Sequence, residues 1–334
     1  MRRGVRSGLI GLVVLACWSA PVHAEWETRV TDGIMGTRIT VEVWTEDAAR
    51  ADQANAAVLA AMRHIDATMS TYKPTSEVSQ VNARAADGPV HISKELFDLL
   101  VTAKEYSRLT EGAFDITYAS VGYLYDFRKR IHPDEAHIQA ALPAVNYQHV
   151  LLDSKQQTVR FSQHGVRIDL GGIAKGYAVD CGIDALRSLG ITHGYVGAGG
   201  DSRMIGDRFG KPWVVGIRDP MQAEGTVIAR VPLIDAAIST SGDYERYFDE
   251  GGVRYHHIID PHTGHSASKV RSATVIARTA TRTDGLSKTA FVLGPEKAME
   301  IYNGIDDVDA IIVKLDGTVI YSKRMQPAAP VAPP

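Results

Sequence analysis

Apolar and polar residues alternate over residues 37–43, which predicts a half-buried strand, and Gly36 ahead of it permits a close turn. Residues 48–69 are alanine-rich with a polar face. They predict a long helix that offers Ala57, Leu59, Ala60 and Ile65 to a core. A polar loop containing Tyr72 follows, and Pro74 prevents the helix from continuing. Ser93 is placed to cap a second helix carrying Leu96, Leu99, Leu100 and Ala103 on one face and ending near Gly112. From Ala113 to about Pro143 the pattern is polar and rich in aromatics, which predicts an irregular excursion. Short strands are predicted at 150–152 and 159–161.

The run Val166, Ile168, Leu170 then meets a glycine pair and a helical pattern, so residues 166–189 read as strand, tight turn and helix, with Gly190 as the stop. Gly171 and Gly172 can take backbone angles closed to other residues and let a ligand approach the main chain. The free N–H groups of the helix start favour anions, with Lys175 adding positive charge one turn in. A strand running into a second glycine turn spans 195–201. Strand-like runs recur at 213–217, 226–231, 236–240, 255–259 and 273–277, helices at 284–293 and 296–302, and a hairpin around Asp316-Gly317. Without repeats or long linkers, the order predicts one α+β unit, or two lobes intertwined in sequence.

Composition adds an address. The chain has 334 residues, 45% hydrophobic and 22% charged, with a net charge of −3, so no strong basic field points to nucleic acid. Residues 1–24 combine basic residues, a short apolar run and small residues ahead of Glu25, the layout of a secretory signal peptide; the run is shorter than the roughly 20 residues a membrane-spanning helix needs. Cys17 in Val14-Leu15-Ala16-Cys17 also matches a lipoprotein cleavage site, ranked second. Either cleavage places the mature chain outside the cytoplasm. After ordinary cleavage Cys181 is the only cysteine, which leaves no intramolecular disulfide and suits a core position. The proline/alanine tail, 326–334, has too little to bury and is predicted to be disordered.

Several groups carry candidate chemistry. His256 to His265 gathers four histidines with Asp260. The spacing suits no zinc motif, and one histidine acting as proton acceptor is the more economical reading. Ser241 with His257 suggests a serine hydrolase, but the nucleophile elbow is absent and such hydroxyls usually satisfy backbone groups. Asp284 at a predicted helix start is either an acid complementing the helix dipole or a Mg²⁺ ligand.

Taken in order, Met35-Gly36-Thr37, Ser70-Thr71-Tyr72, Gly112 to Thr117, Asp169 to Gly176, Gly199-Gly200-Asp201, Ser239 to Gly242, His257 to Gly264 and Asp284 to Gly294 resemble the ApbE family of FAD:protein FMN transferases. The resemblance covers most of the mature chain, residues 25–325. It implies an α+β, T-fold-like architecture of mixed sheets and packed helices, with FAD in a cleft between two intertwined lobes. It also implies a Mg²⁺-assisted reaction in which FMN passes from FAD to a threonine of a partner flavoprotein, with release of AMP, on the periplasmic side. Membrane association would come only through a lipid on Cys17 or a membrane-bound acceptor. By motif position, Met35, Tyr72, Ala113, Phe114, Asp115, Asp169, Lys175 and Ile258 correspond to flavin-nucleotide contacts and His257 to the catalytic histidine. The Gly172 carbonyl, Asp284 and a neighbouring oxygen, Ser287, correspond to the metal ligands. One position departs: the family's metal-binding threonine is Lys288 here, and an ammonium has no lone pair to give a cation. Two other readings share the scaffold, an FAD-binding protein without efficient transfer and a Mg²⁺-dependent pyrophosphatase giving FMN and AMP.

Overall fold

The computed structural model describes residues 24–222 and 225–325. The expected signal segment, apart from Ala24, and the proline/alanine tail lie outside them, as does Cys17. Strands β1 (Glu25–Ile34) and β2 (Thr37–Thr45) form a hairpin turned by Met35 and Gly36, both at positive φ. Helix α1 (Ala48–Met69) matches the predicted span. Its cap Asp47 accepts the Ala49 N–H, and Ala51, Ala54, Val58, Met62 and Ile65 fall on one buried face at spacings of three and four. Helix α2 (Glu77–Arg84), capped by Ser76, follows the polar loop in a stretch for which the sequence predicts no element. Next come β3 (Val90–His91) and α3 (Lys94–Leu109), where the Ser93 hydroxyl accepts the Leu96 N–H as predicted. The excursion that follows holds only short turns, among them α4 (Ala119–Gly122) and α5 (Glu135–Ala141), before β4 (Val150–Asp153) and β5 (Thr158–Phe161).

Helix α6 (Ala174–Ser188) leads to β6 (Gly194–Ala198), β7 (Asp201–Ile205), β8 (Trp213–Arg218), β9 (Val227–Leu233) and β10 (Ala237–Gly242). The chain ends with β11 (Tyr247–Glu250), β12 (Val253–His256), β13 (Ser272–Ala277), α7 (Ala280–Leu286), α8 (Thr289–Leu293), α9 (Pro295–Asn303), β14 (Asp309–Val313) and β15 (Val319–Tyr321). Eight strands pair in the order β1-β2-β6-β7-β10-β13-β14-β15, each neighbour antiparallel to the next. One face carries α1, α6 and α7. The other is covered by the β8–β9 hairpin, whose Trp213, Ile217, Val231 and Leu233 pack on Met204, Ile238, Ile276 and Ile311.

Period-2 alternation decides which side chains of β10 meet α7. Ile238 faces the hairpin, whereas Ser239 and Ser241 face α7, where their hydroxyls pair with Thr283 (2.7 Å) and Ser287 (2.8 Å). Asp180 of α6 fixes the start of α7 from a hundred residues away. Its carboxylate accepts the Ala280 and Thr281 N–H groups, each at 2.9 Å, and also receives Arg203 at 2.7 Å. Removing that acid would strand a part-buried guanidinium and two helix N–H groups, a loss of about 3–5 kcal/mol. Because this cap is remote, α7 begins before the predicted 284, and the predicted single helix is two helices divided at Ser287-Lys288.

Residues 166–170 form no strand and join no sheet, although buried and more exposed positions alternate along them. Their polar groups are met by side chains instead. Asn82 of α2 gives and accepts a bond at Ile168 (2.8 Å each), Ser120 accepts the Arg167 N–H, and the Asp169 N–H reaches the Ile116 carbonyl. A carboxamide here does the work of a neighbouring strand, leaving the loop after it free to face the site. The expected special backbone angles at Gly171 and Gly172 are also absent: neither has positive φ. The glycines serve space. A Cβ at Gly171 would lie 2.8 Å from the Asp169 carboxylate, and one at Gly172 would lie 3.3 Å from the Phe114 ring.

Candidate active site

Segments distant in sequence converge at the N-terminal end of α6. The Asp169 carboxylate receives the Thr71 hydroxyl (2.8 Å), the Tyr118 hydroxyl (3.2 Å) and the Gly171 N–H (2.6 Å). Burial and the adjacent carboxylate hold the Tyr118 phenol protonated, well above its usual range. Tyr72, next to Thr71, is 91% exposed, an aromatic face held out at the rim. At the β1–β2 turn, a Cβ on Gly36 would lie 3.8 Å from the Arg246 guanidinium, which places that cation beside Met35-Gly36.

The anion expected at the start of α6 is the chain's own. Fully buried Asp284 accepts the Gly176 N–H at 3.0 Å, and the Lys175 ammonium lies 3.5 Å from the same oxygen and 2.6 Å from Asp201. Burial opposes charging Lys175, but Asp201 and Asp284 outweigh it and raise its pKa. Two carboxylate contacts leave an ammonium with one N–H to spare. The other oxygen of Asp284 receives the Lys288 ammonium, which also donates to the Asp284 carbonyl (2.7 Å) and the Gly172 carbonyl (3.2 Å). Burial would raise the Asp284 pKa; Lys175 and Lys288 together bring it below the usual carboxylate value.

The four histidines go separate ways. His256 is buried edge-on to Phe291 and accepts the Ile258 N–H. His262 pairs with Asp260 and His265 with Glu135 at the surface. His257 lies within electrostatic reach of three cations. Burial above all, then His256, Arg246, Lys175 and Lys288, push its pKa down to about 3, and its Nδ1 is buried with no hydrogen-bond partner. Near neutral pH it is therefore an uncharged imidazole with a nitrogen to offer. Among the described residues, no group of three or more His, Cys, Asp or Glu side chains converges as a metal site.

The remaining predicted residues line or support this centre. Phe114 packs against Gly172, and Ala113 and Ile258 lie in one buried cluster with Phe291. Asp115 spends its carboxylate on structure: one oxygen takes the Thr117 N–H and hydroxyl, the other the Tyr147 N–H, which leaves burial as the main influence raising its pKa. Gly172 and Asp284 do meet, at the Lys288 nitrogen, but the Ser287 hydroxyl is engaged with Ser241 and the Asp284 carbonyl. Ser241 is thus a helix-docking group, and the Cys181 thiol, raised to about 11 by burial, is no nucleophile. Tyr118 and Arg246 are not singled out by the sequence. Tyr118 directly follows a quoted motif, whereas nothing in its neighbourhood marks Arg246.

Comparison with known proteins agrees with this assembly. The model of the ApbE family matches residues 35–312. A protein of Klebsiella pneumoniae named FAD:protein FMN transferase is 34% identical over 311 residues, 89% of this chain and 88% of that protein. Among solved structures, the ApbE protein of Thermotoga maritima aligns with a TM-score of 0.82 at 35% identity, across 90% of this chain and 98% of that one. The flavin transferase ApbE of Vibrio cholerae aligns with a TM-score of 0.79 at 29% identity, across 90% and 98%.

Proposed function

This chain belongs to the ApbE family, and we propose from that premise that it is an FAD:protein FMN transferase whose acceptor is a threonine of a partner flavoprotein. One observation carries the assignment of roles: an uncharged His257 with an unpartnered Nδ1 stands among Lys175, Lys288 and Arg246. A neutral base beside clustered positive charge suits an attack by a hydroxyl on a phosphoric anhydride.

In the reaction, His257 takes the proton of the threonine hydroxyl as its oxygen bonds to the flavin-side phosphorus of FAD. The bond from that phosphorus to the bridging oxygen breaks, and AMP leaves with the electron pair. The free N–H of Lys175 and the guanidinium of Arg246 face the pyrophosphate and oppose its charge. Arg246 is available for this because its guanidinium makes no hydrogen bond to the chain among the described residues. Asp169 orders the loop beneath, leaving the Met35-Gly36 turn, Tyr72 and Phe114 to pack on the flavin nucleotide.

Magnesium, which the family resemblance implies, does not suit the groups present. Its oxygens from Gly172 and Asp284 already surround the Lys288 ammonium, and Ser287 faces away. The reading of residues 1–24 as a signal peptide supports export to the periplasm, with an exported or membrane-bound acceptor and Cys17 as an alternative lipid anchor. Incubation of the mature chain with FAD and an acceptor domain, followed by mass analysis of its peptides, tests the assignment. FMN is expected on a threonine, and its loss is expected when that threonine is replaced by valine. Modification that ignores the threonine, or no modification of any threonine-bearing acceptor, would overturn it.

A further inference from the structure

We propose that Lys288 is a built-in replacement for a divalent cation, so that this chain transfers FMN without one; the inference rests on the transferase reading above. An ammonium has three N–H groups, and here all three meet oxygens: the Gly172 carbonyl, the Asp284 carbonyl and the Asp284 carboxylate. Mg²⁺ demands a near-octahedral shell of oxygens about 2.0–2.1 Å away, and the lysine nitrogen stands among those this chain has to offer. The other Asp284 oxygen is committed to the Gly176 N–H and Lys175. The lysine stem is held too: a Cβ on Gly172 would lie 3.9 Å from its Cε and 3.3 Å from Phe114, so loop, stem and ring fill the same space.

Charge points the same way. Asp201 and Asp284 are balanced by Lys175 and Lys288, so a divalent ion would arrive where no negative charge is uncompensated. Replacing the lysine with threonine reverses this. The site would gain one uncompensated carboxylate, and a hydroxyl would stand one turn from Asp284 on the same helical face. With its three N–H groups consumed, Lys288 is a positioning residue. It pins the Gly172 loop to α7 and holds a fixed positive charge beside the phosphate-facing Lys175.

The test titrates Mn²⁺, read by electron paramagnetic resonance, into the mature wild type, Lys288→Thr and Lys288→Met with FAD bound, and measures transfer in chelator and in Mg²⁺. The wild type should bind no Mn²⁺ at this site and transfer at the same rate, within about twofold, in both media. Lys288→Thr should bind one Mn²⁺ and transfer about 100-fold more slowly in chelator, a loss typical of removing one electrostatic contact, with recovery in Mg²⁺. Lys288→Met, neutral and of similar length, should be slow in both. A merely structural lysine would not give metal-dependent rescue. One Mn²⁺ bound by the wild type and displaced by Mg²⁺, or transfer abolished by chelator, would overturn the proposal. If neither the wild type nor any variant transfers under any condition, the transferase reading fails, and the Mn²⁺ titration alone still decides the role of Lys288.

Discussion

Gly176→Ala probes the junction on which the site depends. A Cβ there would lie 2.1 Å from the Ala280 carbonyl oxygen and 2.8 Å from the Asp284 Cβ, so α6 and α7 must part by roughly 1.5 Å to reach ordinary contact. Overpacking of this kind costs about 1–3 kcal/mol. The shift also stretches the 3.0 Å bond from the Gly176 N–H to Asp284, a charged hydrogen bond of about 1.5–3 kcal/mol. The better helix propensity of alanine returns at most about 1 kcal/mol. The net loss is about 2–5 kcal/mol, which for a chain of this size lowers Tm by roughly 3–10 °C. Thermal melts by circular dichroism measure it, with Gly88→Ala as the control: a Cβ at Gly88 meets nothing within 4 Å, and that variant should melt within about 2 °C of wild type. Because the two helices carry Lys175 and Asp284, transfer by Gly176→Ala should also fall more than tenfold at temperatures where it is folded. A Gly176→Ala protein that melts and transfers like wild type would refute the close-approach argument.

Three further outcomes follow from the site. His257→Ala should lower transfer about 10²–10⁴-fold while FAD affinity, measured by flavin fluorescence, stays within about threefold; equal losses in both would make the histidine a nucleotide contact instead. His257 is neutral in the fold down to about pH 3 but titrates near 6.5 when unfolded, so the unfolded chain binds the extra proton and stability is lost as pH falls through that window. Urea unfolding at pH 7 and pH 5 should therefore show the wild type losing about 2 kcal/mol more than His257→Gln. Ser241→Ala should cost about 1 kcal/mol through its bond to Ser287 and leave transfer within about threefold; abolished transfer would restore the serine as a nucleophile.

What the sequence shows and hides follows from how local each signal is. The span of α1, the Ser93 cap and the Asp316-Gly317 hairpin rest on residues within a turn of one another, and all three are found. The run 166–170 has strand-like alternation, but its partner is an amide 86 residues away, which no window along the chain reveals. The start of α7 is likewise set by Asp180, and Arg246 reaches the site only because the chain folds back past the β1–β2 turn. Asp169, Lys175, His257 and Asp284 could be named in advance because their motifs resemble a known family. The resemblance also exposed Lys288 as out of place. Only the geometry shows where its charge goes, and that the oxygens expected around a metal are gathered around it.

The central claim is that FMN moves from FAD to a threonine rather than to water. Its most direct test is the ratio of AMP released to FMN attached, followed together as acceptor is consumed by the mature chain in the presence of FAD. The account predicts one AMP for each threonine modified, and no AMP beyond a slow background when acceptor is withheld. AMP released at full rate without acceptor would make the chain a pyrophosphatase, and FAD bound with neither product formed would make it a binding protein; either result would contradict the account.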